Sequence, residues 1–271
     1  LDSPFVSDSI TLAENVVDAL PLQDGWVAEI ISRNERGDAI VRASQPQTGA
    51  LGNELVLPVM NILNVFSWNG SIVITGGVYQ SEPEYNAFCL VYLVDFSTPE
   101  QPTILREWTV PIEPWWGGWW YYPAMEDAVA VRPAKALKQY WWGYVNSDES
   151  VILTGDYLIL RGTAKNYDLI FGKEQPWQGM AVVDLAGVDP IYLAGLGYKD
   201  IARMTCSEGI VYVTTRLNAG RDNASRSICA YYLQEFNPAT REMSDGINVP
   251  GLLLGRTSTA NYMLFEDYQY T

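Results

Sequence analysis

The side chains most able to do chemistry are concentrated in one stretch. Trp115-Trp116-Gly117-Gly118-Trp119-Trp120-Tyr121-Tyr122 is followed by Tyr140-Trp141-Trp142-Gly143-Tyr144, and six of the ten tryptophans fall in these two clusters. Successive side chains on a strand point to opposite faces, so a packed core uses only half of each cluster. The other half is left to meet solvent or a partner. Rigid amphipathic rings of this kind suit a protein-docking patch, a peptide groove or a carbohydrate platform. The bland alternative is a satellite core folded from the stretch itself. Trp115, Trp116, Trp119, Trp120, Tyr121, Trp141 and Trp142 are the candidate binding residues.

Carboxylates form a second set. Glu126-Asp127, Asp148-Glu149, Glu107 and Glu113 contain pairs that could serve as the acid and base of a glycosidase. The strands expected near the axis of the fold derived below, 71–75, 156–160 and 210–213, carry only Asp156 at one end, which disfavours that chemistry. Glu126 and Asp127 are its least poor candidates, and no residue is assigned a catalytic role. Asp95, Asp184 and Asp189 stand in turns, where an aspartate either binds calcium or accepts hydrogen bonds from turn N–H groups. No D-x-D-x-D-G loop is present, so the second reading is preferred and no metal is assigned.

Composition removes whole classes. The chain has no histidine, hence no ordinary neutral-pH base, no common zinc ligand and no usual haem ligand. Three cysteines without a C-x-x-C pair exclude a zinc ribbon or redox motif. Cys206 and Cys229 are left as a possible disulfide, or as plain thiols. A net charge of -15, from 32 acidic and 17 basic residues, repels phosphate backbones and anionic lipid, so nucleic acid is not an expected partner. No cofactor is implied, and no apolar run is long enough to span a bilayer. The start at Leu1-Asp2-Ser3-Pro4 reads as a mature or trimmed chain, and the end also looks cut. Asn69-Gly70-Ser71 and Asn223-Ala224-Ser225 match the glycosylation pattern, Asn223 being the better acceptor because Asn69 sits in a tight hairpin.

The elements that must position these residues are strands. Short β-branched and aromatic runs recur after turn signals: Ser71–Thr75 after Asn69-Gly70, Asp156–Leu160 after Thr154-Gly155, and Gly209–Val213 after Cys206-Ser207-Glu208. About 25 residues after each comes a second apolar strand running into an acidic or Asn-Pro turn, within Cys89–Pro102, Gly179–Pro190 and Cys229–Thr240. A further strand follows each turn, at Thr103–Trp108, Ile191–Gly195 and Arg241–Met243. A four-stranded unit of this length has the size of a propeller blade. Residues 24–60 are expected to supply the closing strands of a preceding blade, with a hairpin around Asn34-Glu35-Arg36-Gly37, and 258–271 to open another. One short helix is expected near Asp127 to Gln139, limited by Pro133.

Leu93-Val94-Asp95-Phe96-Ser97-Thr98-Pro99 and Ala181-Val182-Val183-Asp184-Leu185 resemble the LVIVD-type repeat of bacterial and archaeal surface β-propellers. The resemblance spans roughly residues 62 to 250, and the third copy departs from it with Gln234-Glu235-Phe236. It implies an all-β propeller of four-stranded blades, carried outside the cytoplasm. The sequence thus predicts one β-propeller domain, or a fragment of one, over residues 1–271, with an aromatic-rich insertion between blades at 111–148. The expected function is non-catalytic binding or scaffolding. The expected partner is another protein chain or a surface polysaccharide, within a larger assembly.

Overall fold

A computed structural model describes residues 12, 15–32, 38–59, 61–80, 86–114, 150–164, 177–187, 191–195, 200–221, 223, 227–256 and 263–266. Among them there is no α-helix; apart from one 3-10 turn at Gln23–Gly25, every regular element is a strand, and every strand pair is antiparallel. The expected helix near Asp127 lies outside the described residues. The expected strand pairs are present, in sheets that follow one another along the chain.

The described residues divide into two compact units, the first built on residues up to 109 and the second on residues from 110 onward. In the first, sheet I holds β1 (Val16–Pro21), β2 (Val27–Ser32), β3 (Ala39–Gln45), β4 (Ala50–Leu51) and β5 (Leu55–Leu57). Its order is β1-β2-β3-β4, and β5 also pairs with β3, so the outer strand is in two pieces. Sheet II runs β6 (Asn61–Trp68), β7 (Ser71–Gln80), β8 (Asn86–Asp95) and β9 (Thr103–Val110) in simple sequence. The predicted hairpin Trp26–Arg42 is thus observed, but β1 makes sheet I a complete unit and not the tail of one.

The second unit holds sheet III, with β10 (Glu113–Pro114), β11 (Val151–Thr154), β12 (Tyr157–Ala164), β13 (Trp177–Asp184) and β14 (Ile191–Gly195). Sheet IV has β15 (Asp200–Ser207), β16 (Ile210–Arg221), β17 (Ser227–Asn237), β18 (Glu242–Met243) and β19 (Ile247–Val249). Sheet V is the pair β20 (Leu252–Arg256) and β21 (Met263–Glu266). Each of sheets I to IV is an up-and-down meander, the blade unit of a β-propeller. The strands expected to be innermost, at 71–75, 156–160 and 210–213, are the second in their sheets, each preceded by a first strand.

Patterning explains why these segments pair. In sheet I, Ala28, Ile30, Val41 and Ala43 alternate with the opposite face and pack on Ile72, Ile74, Tyr92 and Val94 of sheet II. The other face of β7 and β8 is buried as well, at Val73, Val91 and Leu93, which is why those strands read as unbroken apolar runs. In the second unit, Ile159 and Val182 of sheet III meet Val211, Val213 and Phe236 of sheet IV. Tyr212 and Leu233 then meet Leu253 on the far side. Each fully buried aliphatic chain contributes about 1.5–3 kcal/mol relative to exposure, so the face-to-face stacking of sheets carries the fold.

Sheets I and II also interlock through backbone. Asn53 N–H donates to Glu100 O at 2.8 Å, and a Cβ on Gly52 would stand 2.7 Å from Pro99 O. Neither side is a flexible side chain that could swing away. Gly52→Ala is therefore expected to destabilise the chain by about 1–3 kcal/mol, the usual cost of overpacking. Urea denaturation followed by tryptophan fluorescence measures this; an unchanged midpoint would refute the interlock.

Candidate functional site

Two fixed points set the register within these sheets. The first is the hairpin joining strands one and two. Asn69-Gly70 (φ 45° and 79°) and Glu208-Gly209 (φ 52° and 80°) place both central residues in the left-handed region, as a type I′ turn demands. The third-copy turn is therefore Glu208-Gly209, one step later than the sequence suggests, because a glutamate stands where asparagine is the usual signal.

The second fixed point is the turn after strand three. Asp95 Oδ1 accepts from Ser97 N–H at 2.8 Å, while its Oδ2 accepts from the Ser97 hydroxyl at 2.8 Å. Asp184 Oδ1 accepts from Ala186 and Gly187 N–H at 3.1 and 2.9 Å. Asn237 Oδ1 accepts from Ala239 N–H at 3.0 Å. The preferred reading of the aspartates as turn acceptors holds for Asp95 and Asp184; Asp189 lies outside the described residues. In the third copy the equivalent turn acceptor is Asn237, not Glu235. Phe236, 1% exposed, occupies the place of Val94 and Val183.

With that alignment, Thr75, Arg161 and Thr214 are equivalent, each facing the third-strand residue four before the turn acceptor: Val91, Met180 and Leu233. Their first-strand neighbours show a common irregularity. In sheet II, Asn64 faces Thr75 and Ile62 faces Gly76, leaving Leu63 as an extra residue. In sheet IV, Arg203 faces Thr214 and Ile201 faces Thr215, leaving Ala202. Sheet I has the same break at Val17, between Val16 and Asp18. Sheet V has it at Leu254, between Leu253 and Gly255.

Sheet III has the aromatic-rich stretch at this step. Pro114 faces Gly162, and Ser150 O accepts from Arg161 N–H at 2.8 Å before Val151 faces Leu160. Residues 115–149 thus leave and rejoin one strand between two consecutive ladder positions, where the other sheets carry a single bulge residue. Within the range 111–148, Glu113 and Pro114 form β10, and β10 and β11 pair with the same strand, β12. Trp115, Trp116, Trp119, Trp120, Tyr121, Trp141 and Trp142 lie outside the described residues, as do Glu126, Asp127, Asp148 and Glu149.

What the described residues do fix is the foot of this stretch. Ser150 and Arg161 are both buried there. The Arg161 guanidinium donates through Nη2 to Ile201 O, at the bulge of sheet IV. Thr214 makes the corresponding link from sheet IV to sheet V, its Oγ1 accepting from Leu253 N–H at 3.3 Å. Thr75 stays within its own sheet, accepting from Asn64 N–H at 3.0 Å and donating to Asn64 O at 3.2 Å. Sequence reasoning missed Arg161 because nothing in its local pattern marks a strand residue as facing a bulge.

Of the carboxylates singled out as acid or base candidates, Glu107 and Glu113 lie among the described residues. Glu107 lies beside the buried phenol of Tyr92, without a hydrogen bond of good geometry between them; burial first, and then the Glu107 charge, raise that phenol above its ordinary 10.0. Glu113 pairs along the backbone with Thr163. Among the described residues no three metal-binding side chains cluster. A hollow of about 510 Å³ opens at the end of sheet IV between Ile210, Glu235, Glu242 and Met243, where the outer strand is broken.

All three cysteines are free, so the possible Cys206–Cys229 disulfide is excluded. Cys206 faces Val211 and Cys229 faces Asn218, on either side of β16 and towards opposite ends of it. Two strand spacings, about 10 Å, separate their strands, beyond the reach of about 7 Å between bridged Cα atoms. Burial raises the Cys89 thiol from 9.0 to about 12, against a smaller lowering by the Gly76 backbone. It stays protonated and inert near neutrality. Because the unfolded thiol ionises first, its stabilising effect is complete below pH 9 and is lost as pH rises towards 12. The urea midpoint is expected to fall over that window, and less steeply in Cys89→Val; identical slopes would contradict the assignment.

No family model matches the chain, and no curated protein is similar to it in sequence. Among solved structures it is similar to the β-propeller domain of the Trilobed protease from Pyrococcus furiosus, at 12% identity and TM-score 0.43, covering 91% of this chain and 59% of that one. It is also similar to a Synechocystis apocarotenoid oxygenase, at 9% and 0.40, covering 84% and 49%. An α-L-arabinofuranosidase from Lactobacillus brevis gives 9% and 0.31, covering 88% and 76%. The chain therefore spans about half of the first two. At this distance the likeness carries no argument about chemistry.

Proposed function

We propose that this chain is a non-catalytic binding or scaffold module working outside the cytoplasm, and that its aromatic-rich stretch holds another protein chain. The observation that supports this reading is the way residues 115–149 leave and rejoin a single ladder step of sheet III. A loop whose two ends meet leaves the scaffold's pairing intact, and binding elements are commonly carried in this way on rigid sheets. Six tryptophans in such an excursion supply large contact area at small conformational cost, the makeup of an interface centre. The acidic surface favours a partner without phosphate. Charges spent on turns, at Asp95 and Asp184, are consistent with a scaffold more than with an acid–base centre.

Tryptophan fluorescence with iodide quenching tests the reading. Trp26 and Trp108 are buried, so quenching reports mainly on the remaining tryptophans. Strong quenching is expected, relieved by native envelope extract, with Trp119→Ala or Trp141→Ala weakening that binding about tenfold or more. Relief by a purified polysaccharide instead would transfer the assignment to a glycan platform. Weak quenching with no response to any addition would reject the aromatic site.

A further inference from the structure

We propose that the outer edge of β9 is a docking site for an extended strand of another protein, one that sets a basic residue against Glu107 and an acidic residue against Arg106. The site rests on sheet II alone. β9 ends the order β6-β7-β8-β9, so among the described residues it has a strand on one side only. It runs unbroken for eight residues, Thr103–Val110, and six of them are exposed. Buried Trp108 and Val110 hold it in place. The outer strand of sheet III has five residues, and those of sheets I and IV are split into pieces of two and three. β9 therefore presents the longest row of backbone donors and acceptors among the described outer edges, the surface on which an added strand pairs.

The sequence of this edge makes it selective. Pro102 and Pro111 bound it and lack the N–H that a ladder needs, so pairing starts and stops with the strand. Ile104 and Leu105, 39% and 52% exposed, stand on opposite faces and give a partner strand apolar contact on both. Arg106 and Glu107 alternate in the same way, so one face carries Leu105 with Glu107 and the other Ile104 with Arg106. A second copy of β9 matches this pattern poorly. Opposed side chains in an antiparallel pair share a face while chain neighbours alternate, so a two-fold pairing always sets one residue against its own copy. The two registers that use seven of the eight residues set Arg106 against Arg106 or Glu107 against Glu107. Like charges directly opposed destabilise a pair. A partner strand of complementary charge has no such conflict: antiparallel to β9, it reads basic, acidic, apolar, apolar against Glu107, Arg106, Leu105 and Ile104.

The test uses the full chain and labelled peptides, read by fluorescence anisotropy. Thr-Val-Thr-Lys-Glu-Val-Val-Thr, which lays its Lys against Glu107 and its Glu against Arg106, is expected to bind saturably. Glu107→Lys, at an exposed position, is expected to weaken that peptide about fivefold or more and to strengthen Thr-Val-Thr-Glu-Glu-Val-Val-Thr by a similar factor. The exchange of preference also shows the variant to be folded. Proline in place of each valine of the first peptide removes backbone donors and is expected to abolish binding. No binding of the first peptide at millimolar concentration, equal affinity for parent and variant, or undiminished binding of the proline peptide would each overturn the docking site. A dimer of the parent chain in sedimentation that the first peptide dissociates would overturn the foreign partner and assign the edge to a second copy. The aromatic stretch is unchanged throughout, so failure here is distinguishable from failure of the aromatic site.

Discussion

Every sheet in this protein depends on the pairing of its first two strands. In the sheets that resolve it most fully, that pairing is pinned at one end by a tight hairpin and is continued into the third strand, whose end is closed by a side-chain acceptor such as Asp95, Asp184 or Asn237. Between these points one face, and often both, is packed against another sheet, so register cannot drift. Between the first two strands of sheets I, II, IV and V the ladder yields at one step, the bulge. Sheet-to-sheet stacking, the backbone interlock at Gly52 and the placement of the aromatic stretch all presuppose that one arrangement.

Much of this was legible in the residues. Asn69-Gly70 announces a hairpin, Ile72-Val73-Ile74 a strand buried on both faces, and the Asp95 and Asp184 turns a repeated closure. What could not be read had physical causes. β1 ends in a proline and carries Asp18, so its alternation is weak and sheet I seemed incomplete. Glu208 adopts a left-handed backbone normally left to asparagine or glycine, which displaced the third turn by one residue. Asn237 does an aspartate's work, so matching by residue type put Glu235 in its place.

The aromatic stretch shows the same limit from the other side. Its composition is visible at once, while its point of attachment depends on Glu113 and Pro114, two residues whose strand identity comes only from their pairing with Thr163 and Gly162. No local signal distinguishes them from a linker. The bulges are equally silent, since Val17, Leu63, Ala202 and Leu254 are ordinary strand residues by type. They become a pattern only when four ladders are laid over one another.

The broken outer strands bear on how the molecule behaves in a crowded solution. In sheet I the edge is split between β4 and β5, and in sheet IV between β18 and β19, where the Ser244 hydroxyl accepts from Glu235 N–H at 2.8 Å and so occupies the gap. Short, interrupted edges offer a stranger's backbone too few consecutive groups to zip against. β9 is longer and continuous, and it exposes Ile104 and Leu105, but Arg106 and Glu107 follow them directly. Where the described residues are mostly strand and any free edge can recruit another, the interruptions in the outer strands of sheets I and IV thus give those two edges a resistance to fibril growth.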